Sequence, residues 1–245
     1  MNEKLDLVEI EKFYNEHEAI WYDNWYRYTN KSIELFLKNN CSFNNDDIIL
    51  NAGSGGNTYG LSGHTIHMDI AEKTLSRISD KIIGNIENIP MRDNYFDHIV
   101  CVGSVINYCD ANKVISEFER VLKVKGTLYL EFEPSDSFEY FGSNKYKKSV
   151  SIIETDYLKT RHSNWIFSIK YIENILKSQG FQIDTKYQFH IISSIILRIT
   201  NNYDLAAKFT GLDKIVRIFP GIRNCSSNII VFLMLLKIFL PSSIA

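Results

Sequence analysis

The sequence predicts an α/β chain: a doubly wound, mostly parallel seven-stranded sheet with helices on both faces, extra N-terminal helices and a helical insertion before the last strand. Three observations predict it. Short apolar runs recur between segments of helical period, which is how the buried strands of a parallel sheet read. The first run, "IILNAGSGG", ends in glycines, and the second, "HTIHMDI", ends in an acid. Two further runs follow a helix near the C-terminal end, "GFQIDTKYQF" and "NIIVFLML", and bring the strand count to seven.

The elements follow in order. Residues 1–40 read as helical: Ile10, Phe13, Tyr14 and His17 share one face, and so do Ile33, Phe36 and Leu37. A polar loop, "NNCSFNNDD", leads into the first strand. "KIIGNIENIP" holds the third run, "DHIVCVG" the fourth and "GTLYLEFE" the fifth, which stops at Pro134. The clearest helix is "DANKVISEFERVLKVKG", with Asp110 as its N-cap and Val114, Phe118, Val121 and Leu122 at helical spacing. Lys123 and Lys125 suit its C-terminal dipole, and Gly126 is expected at the C′ position. Residues 135–167, polar and aromatic, read as a loop or lid. A helix is expected at about 166–178, a strand near 181–189, one or two helices over 191–224, and a last strand at 228–236. Continuing to residue 240, the last run is too short to span a membrane, which takes roughly 20 apolar residues, and Lys237 interrupts it. A buried strand is the first reading and an interfacial or partner-binding helix the second.

Bulk properties narrow the function. The 245 residues carry a formal net charge of −2, so no global field draws in nucleic acid or an anionic membrane. No basic face interleaved with aromatics suggests DNA or RNA as a partner. Cys41, Cys101, Cys109 and Cys225 are scattered, with no C-x-x-C pair, so neither a zinc site nor a disulfide framework is expected. With no apolar leader at the N-terminus, a cytoplasmic location is the expectation.

The glycine loop places backbone N–H groups at the carboxyl end of the first strand, where an anion or polar ligand tail binds. Asp69 stands sixteen residues after Gly53, at the end of the second strand, where an acid can hold a ribose diol. The dinucleotide pattern G-x-G-x-x-G would need glycine at Thr58, and no lysine follows as a P-loop requires. NAD and ATP are therefore disfavoured.

The segment "GNIENIPMRDNYFDHIVCVG" and the later "RVLKVKG" together resemble the central blocks of class I S-adenosylmethionine (SAM)-dependent methyltransferases, over about residues 48–134. The resemblance implies a Rossmann-like fold, SAM as cofactor and S-adenosylhomocysteine as its product. It implies that Asn51, Gly53, Ser54 and Gly55 form the loop under the methionine part, and that Asp69, with Ile70 beside it, takes the ribose hydroxyls. Asn85, Ile86 and Glu87 would lie at the adenine, and Val102, Gly103 and Ser104 along the methionine side. The family has an acid where this chain has Asn51, so a changed grip on the methionine end is expected. Only Gly56–Gly63 remains for the helix that follows the loop, so a stub or loop is expected there. One domain over 1–245 is expected, with a helical lid (1–45), a SAM-binding core (46–134) and a substrate-side half (135–245) that carries the insertion at 191–224.

Methyl transfer is an in-line substitution that depends on alignment, and needs a base only when the acceptor is still protonated. His162 is the candidate base; His190 and His17 are weaker ones, and His64, His67 and His98 read as structural. Tyr14, Tyr22, Trp25 and Arg27 are candidates for a lid, and Asn107, Tyr108 and Glu133 for acceptor contacts. No metal is expected. The expected partner is a small molecule or biosynthetic intermediate methylated on oxygen or nitrogen, with no transmembrane span. The apolar insertion points toward a lipid-linked or peripherally membrane-bound acceptor. A non-catalytic SAM-binding protein is the alternative, and an NAD-dependent dehydrogenase a weaker one.

Overall fold

A computed structural model of the chain describes residues 5–17, 24–157 and 160–236. The strands are β1 (Ile48–Ala52), β2 (His64–Asp69), β3 (Lys81–Ile83), β4 (Phe96–Cys101), β5 (Leu122–Phe132), β6 (Val150–Tyr157), β7 (Thr160–Phe167), β8 (Phe181–Phe189) and β9 (Asn228–Leu235). The α-helices are α1 (Leu7–Glu16), α2 (Asn24–Asn40), α3 (Ala111–Val121), α4 (Ile169–Ser178), α5 (Ile192–Thr200), α6 (Tyr203–Ala207), α7 (Asp213–Val216) and α8 (Pro220–Arg223).

Seven strands form one sheet in the order β3-β2-β1-β4-β5-β9-β8. The first five are parallel to one another, and β9 runs antiparallel between β5 and β8. Side chains alternate across a strand, and the sequence uses both faces. Leu50, Ile99, Leu128 and Val231 join the core beneath α3 and α4, whose contributors include Phe118 and Ile172. Their neighbours Ile49, Val100, Tyr129 and Ile230 pack on the other face against Ile33, Phe36 and Leu37 of α2. Near-continuous apolar runs are what a sheet buried on both faces requires.

Several expectations are met and several are corrected. Asp110 caps α3, accepting from the Asn112 N–H at 3.0 Å. The helix stops at Val121, short of Gly126, because Leu122 already has extended backbone and pairs with Phe96. Gly126 therefore lies inside β5 and not at a helix end. A Cβ there would come within 2.8 Å of the Asp97 and Lys123 carbonyl oxygens, so its role is close passage of two chains. Between Gly56 and Gly63 there is no helix, as expected. α4 begins at Ile169, where Ser168 accepts from the Tyr171 N–H.

Residues 135–167 are not simply a loop. From Val150 they fold into the antiparallel hairpin β6–β7, pinned to the end of β5 by a bridge between Pro134 and Phe167. Trp165, Ile166 and Phe167 are buried, which is what draws the hairpin onto the body. The insertion holds four short α-helices in place of one or two. Asn201, at φ 49°, ends α5, and the Asn202 side chain caps α6 by accepting from the Leu205 N–H at 2.9 Å. Among the described residues, no helix is long and apolar enough to cross a membrane.

Arg120 fastens the segment after β3 to α3. Its guanidinium donates to the Ile89 and Met91 carbonyls at 2.9 and 2.8 Å and pairs with Glu117 and Asp93. Both carboxylates and both carbonyls lose this donor in Arg120→Met. The expected cost is about 2 kcal/mol of unfolding free energy, discounted because the side chain is 31% exposed. Urea denaturation checks it, and an unchanged midpoint would refute the clamp.

Candidate active site

The carboxyl ends of β2, β1, β4 and β5 line one cavity, roofed by α1 and α2. Three strand spacings separate its two poles, about 14 Å. At one pole stands Asp69; at the other stands Glu133, just past β5.

At the first pole, the chain after β1 makes a tight glycine loop. Gly53, Gly55 and Gly56 all have positive φ. The loop is squeezed from both sides: a Cβ on Gly53 would lie 2.2 Å from a Val105 methyl, and one on Gly56 would lie 2.4 Å from the Thr74 carbonyl. Gly53 and Ser54 donate to the Met68 carbonyl at 2.7 and 3.1 Å. Asp69 is the brace: its Oδ2 accepts from Gly55 N–H at 2.8 Å and its Oδ1 from Ala71 N–H at 2.9 Å. Burial raises its pKa above the ordinary range, and these N–H donors oppose that rise. Ile70, Asn85 and Ile86 continue the wall, with the Asn85 side chain accepting from the Glu87 N–H at 2.8 Å.

Asn51 does not line the cavity, which corrects the expectation of a changed grip on a ligand there. It is buried, and its amide donates to the Asn57 carbonyl at 2.8 Å and faces His67 Nδ1 at 3.3 Å. An aspartate would set oxygen against the Asn57 oxygen. The amide therefore belongs to the glycine loop's own architecture. Glu87 is likewise turned away: it accepts from the Asp110 N–H and pairs with Lys113.

In the middle, Val102, Gly103 and Ser104 follow β4 along the cavity wall. Ser104 has φ 58°, unusual for a residue with a side chain. The buried Glu131 holds it there, taking both its N–H and its hydroxyl. The Asn228 amide closes the same network on Glu131 at 2.7 Å.

At the second pole, Glu133 is positioned by Asn107, which grips its backbone twice: Glu133 N–H donates to Oδ1 at 3.0 Å, and Nδ2 donates to the Glu133 carbonyl at 3.2 Å. Nδ2 also reaches the Trp165 carbonyl at 2.7 Å. Asn107 is fully buried and outside the cavity, so it positions the acid and does not face a ligand. Glu139, Tyr140, Asn164, Tyr203, Ser227 and Asn228 join Glu133 in the wall, and none of them was among the sequence candidates. Asn164 donates to Glu133 Oε2 at 3.4 Å, and Ser227 to Glu139 Oε2 at 3.2 Å. Burial, with the charges of Glu139 and Glu131 adding to it, pushes Glu133 up to about 8, and burial pushes Glu139 up to about 7. No Lys, Arg or His is among the described residues that line the cavity.

The roof includes Tyr14 and Trp25. Tyr14 meets Tyr108 edge to face, with centroids 6.2 Å apart, and Trp25 stacks on His190 at 3.6 Å. His190 is buried between Thr29 and Ser193, and burial holds its pKa well below the usual value, so it supports Trp25 as a neutral ring. Arg27 is exposed and is not among the residues that line the cavity. Tyr22 lies outside the described residues. His162 sits on β7 opposite Thr155, and its side chain lies outside what is described. His17, at the end of α1, is bonded to the Phe13 carbonyl; His98 spans Thr127 and Asp47.

Comparison with known proteins adds a lineage to this geometry. A family described as methyltransferase domain matches residues 50–130, the stretch from β1 to β5. An uncharacterised protein of Methanocaldococcus jannaschii is 31% identical over 193 residues, covering 70% of this chain and 83% of the relative. A demethylmenaquinone methyltransferase of Thermotoga maritima is 28% identical over 56% of this chain and 65% of its own length. The fold matches that of an S-adenosylmethionine-dependent methyltransferase from Clostridium acetobutylicum, with a TM-score of 0.55 over 94% of this chain and 99% of that one at 14% identity. It also matches the [4+2]-cyclase SpnF, with a TM-score of 0.53 over 84% and 80%.

Proposed function

This chain belongs to the class I S-adenosylmethionine-dependent methyltransferase family, and from that premise we propose that it acts as one domain that methylates an oxygen or nitrogen of a small-molecule acceptor. One observation carries the reading: a single cavity joins the glycine loop, Asp69 and Asn85 to a second pole built from Glu133, Glu139 and Tyr140. The first pole fits SAM by its donor set. Asp69 has lone pairs left for a ribose diol, Ile70 and Ile86 offer apolar walls for a flat base, and Asn85 lines the same cavity as a hydrogen-bonding amide. Gly53, Ser54, Gly103 and Ser104 would run along the methionine part. When bound, SAM supplies a methyl group made electrophilic by its sulfonium sulfur.

The rest of the work falls to the chain. Tyr14, Tyr108 and Trp25 cover the cavity and exclude water. Glu133 holds or accepts a proton at its carboxyl, and its poise near neutral pH suits an acceptor that must shed one. The Thermotoga relative supports a small molecule as acceptor. Fold alone does not fix methyl transfer, since a cyclase shares it. Calorimetric titration tests the reading. SAM and S-adenosylhomocysteine are expected to bind in the micromolar range and NAD not at all. Failure of both SAM species to bind would sink the proposal.

A further inference from the structure

The insertion between β8 and β9 has an unusual surface. Eight of the fifteen large apolar side chains exposed among the described residues fall within residues 199–222. Ile199 is 75% exposed, Ile218 72%, Ile215 62% and Phe219 52%. Scattered exposed apolar residues are normal, but a concentration like this marks an interaction surface.

The charges beside it have one sign. Arg198, Lys208 and Lys214 are exposed, Arg217 and Arg223 half-exposed, and Asp204 is the one exposed acid from 198 to 223, since Asp213 is fully buried. The loop before β6 continues the surface: Arg198 Nε donates to the Phe141 carbonyl at 3.0 Å, Phe141 is 58% exposed, and Lys147 and Lys148 are exposed beside it. The chain as a whole has a formal net charge of −2, so this basic face is local.

We propose that this face docks the protein onto an anionic lipid surface, with the apolar side chains entering the boundary layer and the lysines and arginines meeting the headgroups. Apolar area and cations on one side are the two contributions that hold an interfacial segment to such a membrane. A second copy of the chain is disfavoured as the occupant, because a two-fold contact would set like charges against each other. The face also touches the cavity's second pole. Tyr203 lines the cavity and is 44% exposed, and Tyr140, another lining residue, directly precedes Phe141. An acceptor dissolved in lipid would enter from that side; this last step rests on the proposed methyl transfer, whereas the docking does not.

Sedimentation of the full chain with vesicles tests the docking without any acceptor. It is expected to pellet with phosphatidylcholine–phosphatidylglycerol vesicles, to remain in solution with phosphatidylcholine alone, and to be released by high salt. Ile218→Glu combined with Phe219→Glu should lower the partition coefficient at least about tenfold. Lys208→Glu combined with Lys214→Glu, which leaves the apolar residues in place, should lower it at least about thirtyfold. The second pair carries the test if the first fails to fold. No pelleting with anionic vesicles, or equal pelleting by wild type and the lysine variant, overturns the proposal. So does a dimer, seen by light scattering, that the lysine variant alters while vesicle binding is absent.

Discussion

Asp69→Ala is expected to weaken SAM binding by about a hundredfold or more, some 2.7 kcal/mol. The wild-type carboxylate does two jobs at once. Inside the protein it joins the Gly55 and Ala71 N–H groups, and so fixes the glycine loop against the end of β2. Toward the cavity its remaining lone pairs are the proposed acceptors for the ribose hydroxyls. Hydrogen bonds to a charged group contribute roughly 1.5–3 kcal/mol each, so losing two accounts for the whole effect before any loosening of the loop. Asp69→Asn separates the two jobs. Its amide keeps one acceptor oxygen but sets an NH2 against one of the backbone N–H groups, and a loss of about tenfold is expected. Titration calorimetry on each variant, with circular dichroism to show that it is folded, gives the answer. A folded Asp69→Ala protein that binds SAM like wild type rules out the ribose role.

Glu133→Gln is expected to slow methyl transfer about a hundredfold and, at pH 8, to make the protein more stable. The sign follows from proton counting. In the unfolded chain a glutamate ionises near pH 4.3, whereas Glu133 in the fold holds its proton up to about 8. Between those values the native state binds a proton that the unfolded state has released. Stability therefore falls as pH rises through that window. Glutamine has no such cost. Taking a benefit of about 2 kcal/mol at pH 8, the variant should melt about 4–8 °C higher there and show no advantage at pH 4.5. The groups that face Glu133 are Glu139, Glu131, Ser104 and Asn164, and none carries a positive charge to hold it ionised. Parallel melting-temperature curves for wild type and variant across this range would show that Glu133 is not a buried acid of this kind. That measurement needs no acceptor.

The sheet was legible in the sequence because its strands are buried on both faces and so write themselves as apolar runs with clear borders. Asp69 and the glycine loop were legible because that pole comes from two neighbouring strands and one turn. The other pole was not. Glu139, Asn164 and the adjacent Ser227 and Asn228 lie on three separate segments, and no local pattern ties a serine at 227 to a glutamate at 139. The β6–β7 hairpin did have a signal, the β-branched and aromatic alternation of "VSIIETDY" and "SNWIF", but no Asn-Gly or Asp-Gly turn stands between them to announce it. Asn51 shows a subtler limit. A departure from a family pattern pointed at the ligand, but the amide's partner is the Asn57 carbonyl, a neighbour that only the folded loop supplies.

The place of β9 between β5 and β8 has a consequence for how the protein is made. Among the described residues, strand β8 has no neighbour but β9 in the sheet, and β5 has an open edge until β9 arrives. During synthesis at about 5–20 residues per second, residues 228–235 follow β8 only after roughly two to nine seconds. Throughout that interval two strand edges stand bare, Glu131 has no Asn228 amide, and the cavity lacks one wall. The nascent chain is then most exposed to mispairing and to chaperones. The last strand of this sheet to leave the ribosome is the one that seals both the sheet and the cavity.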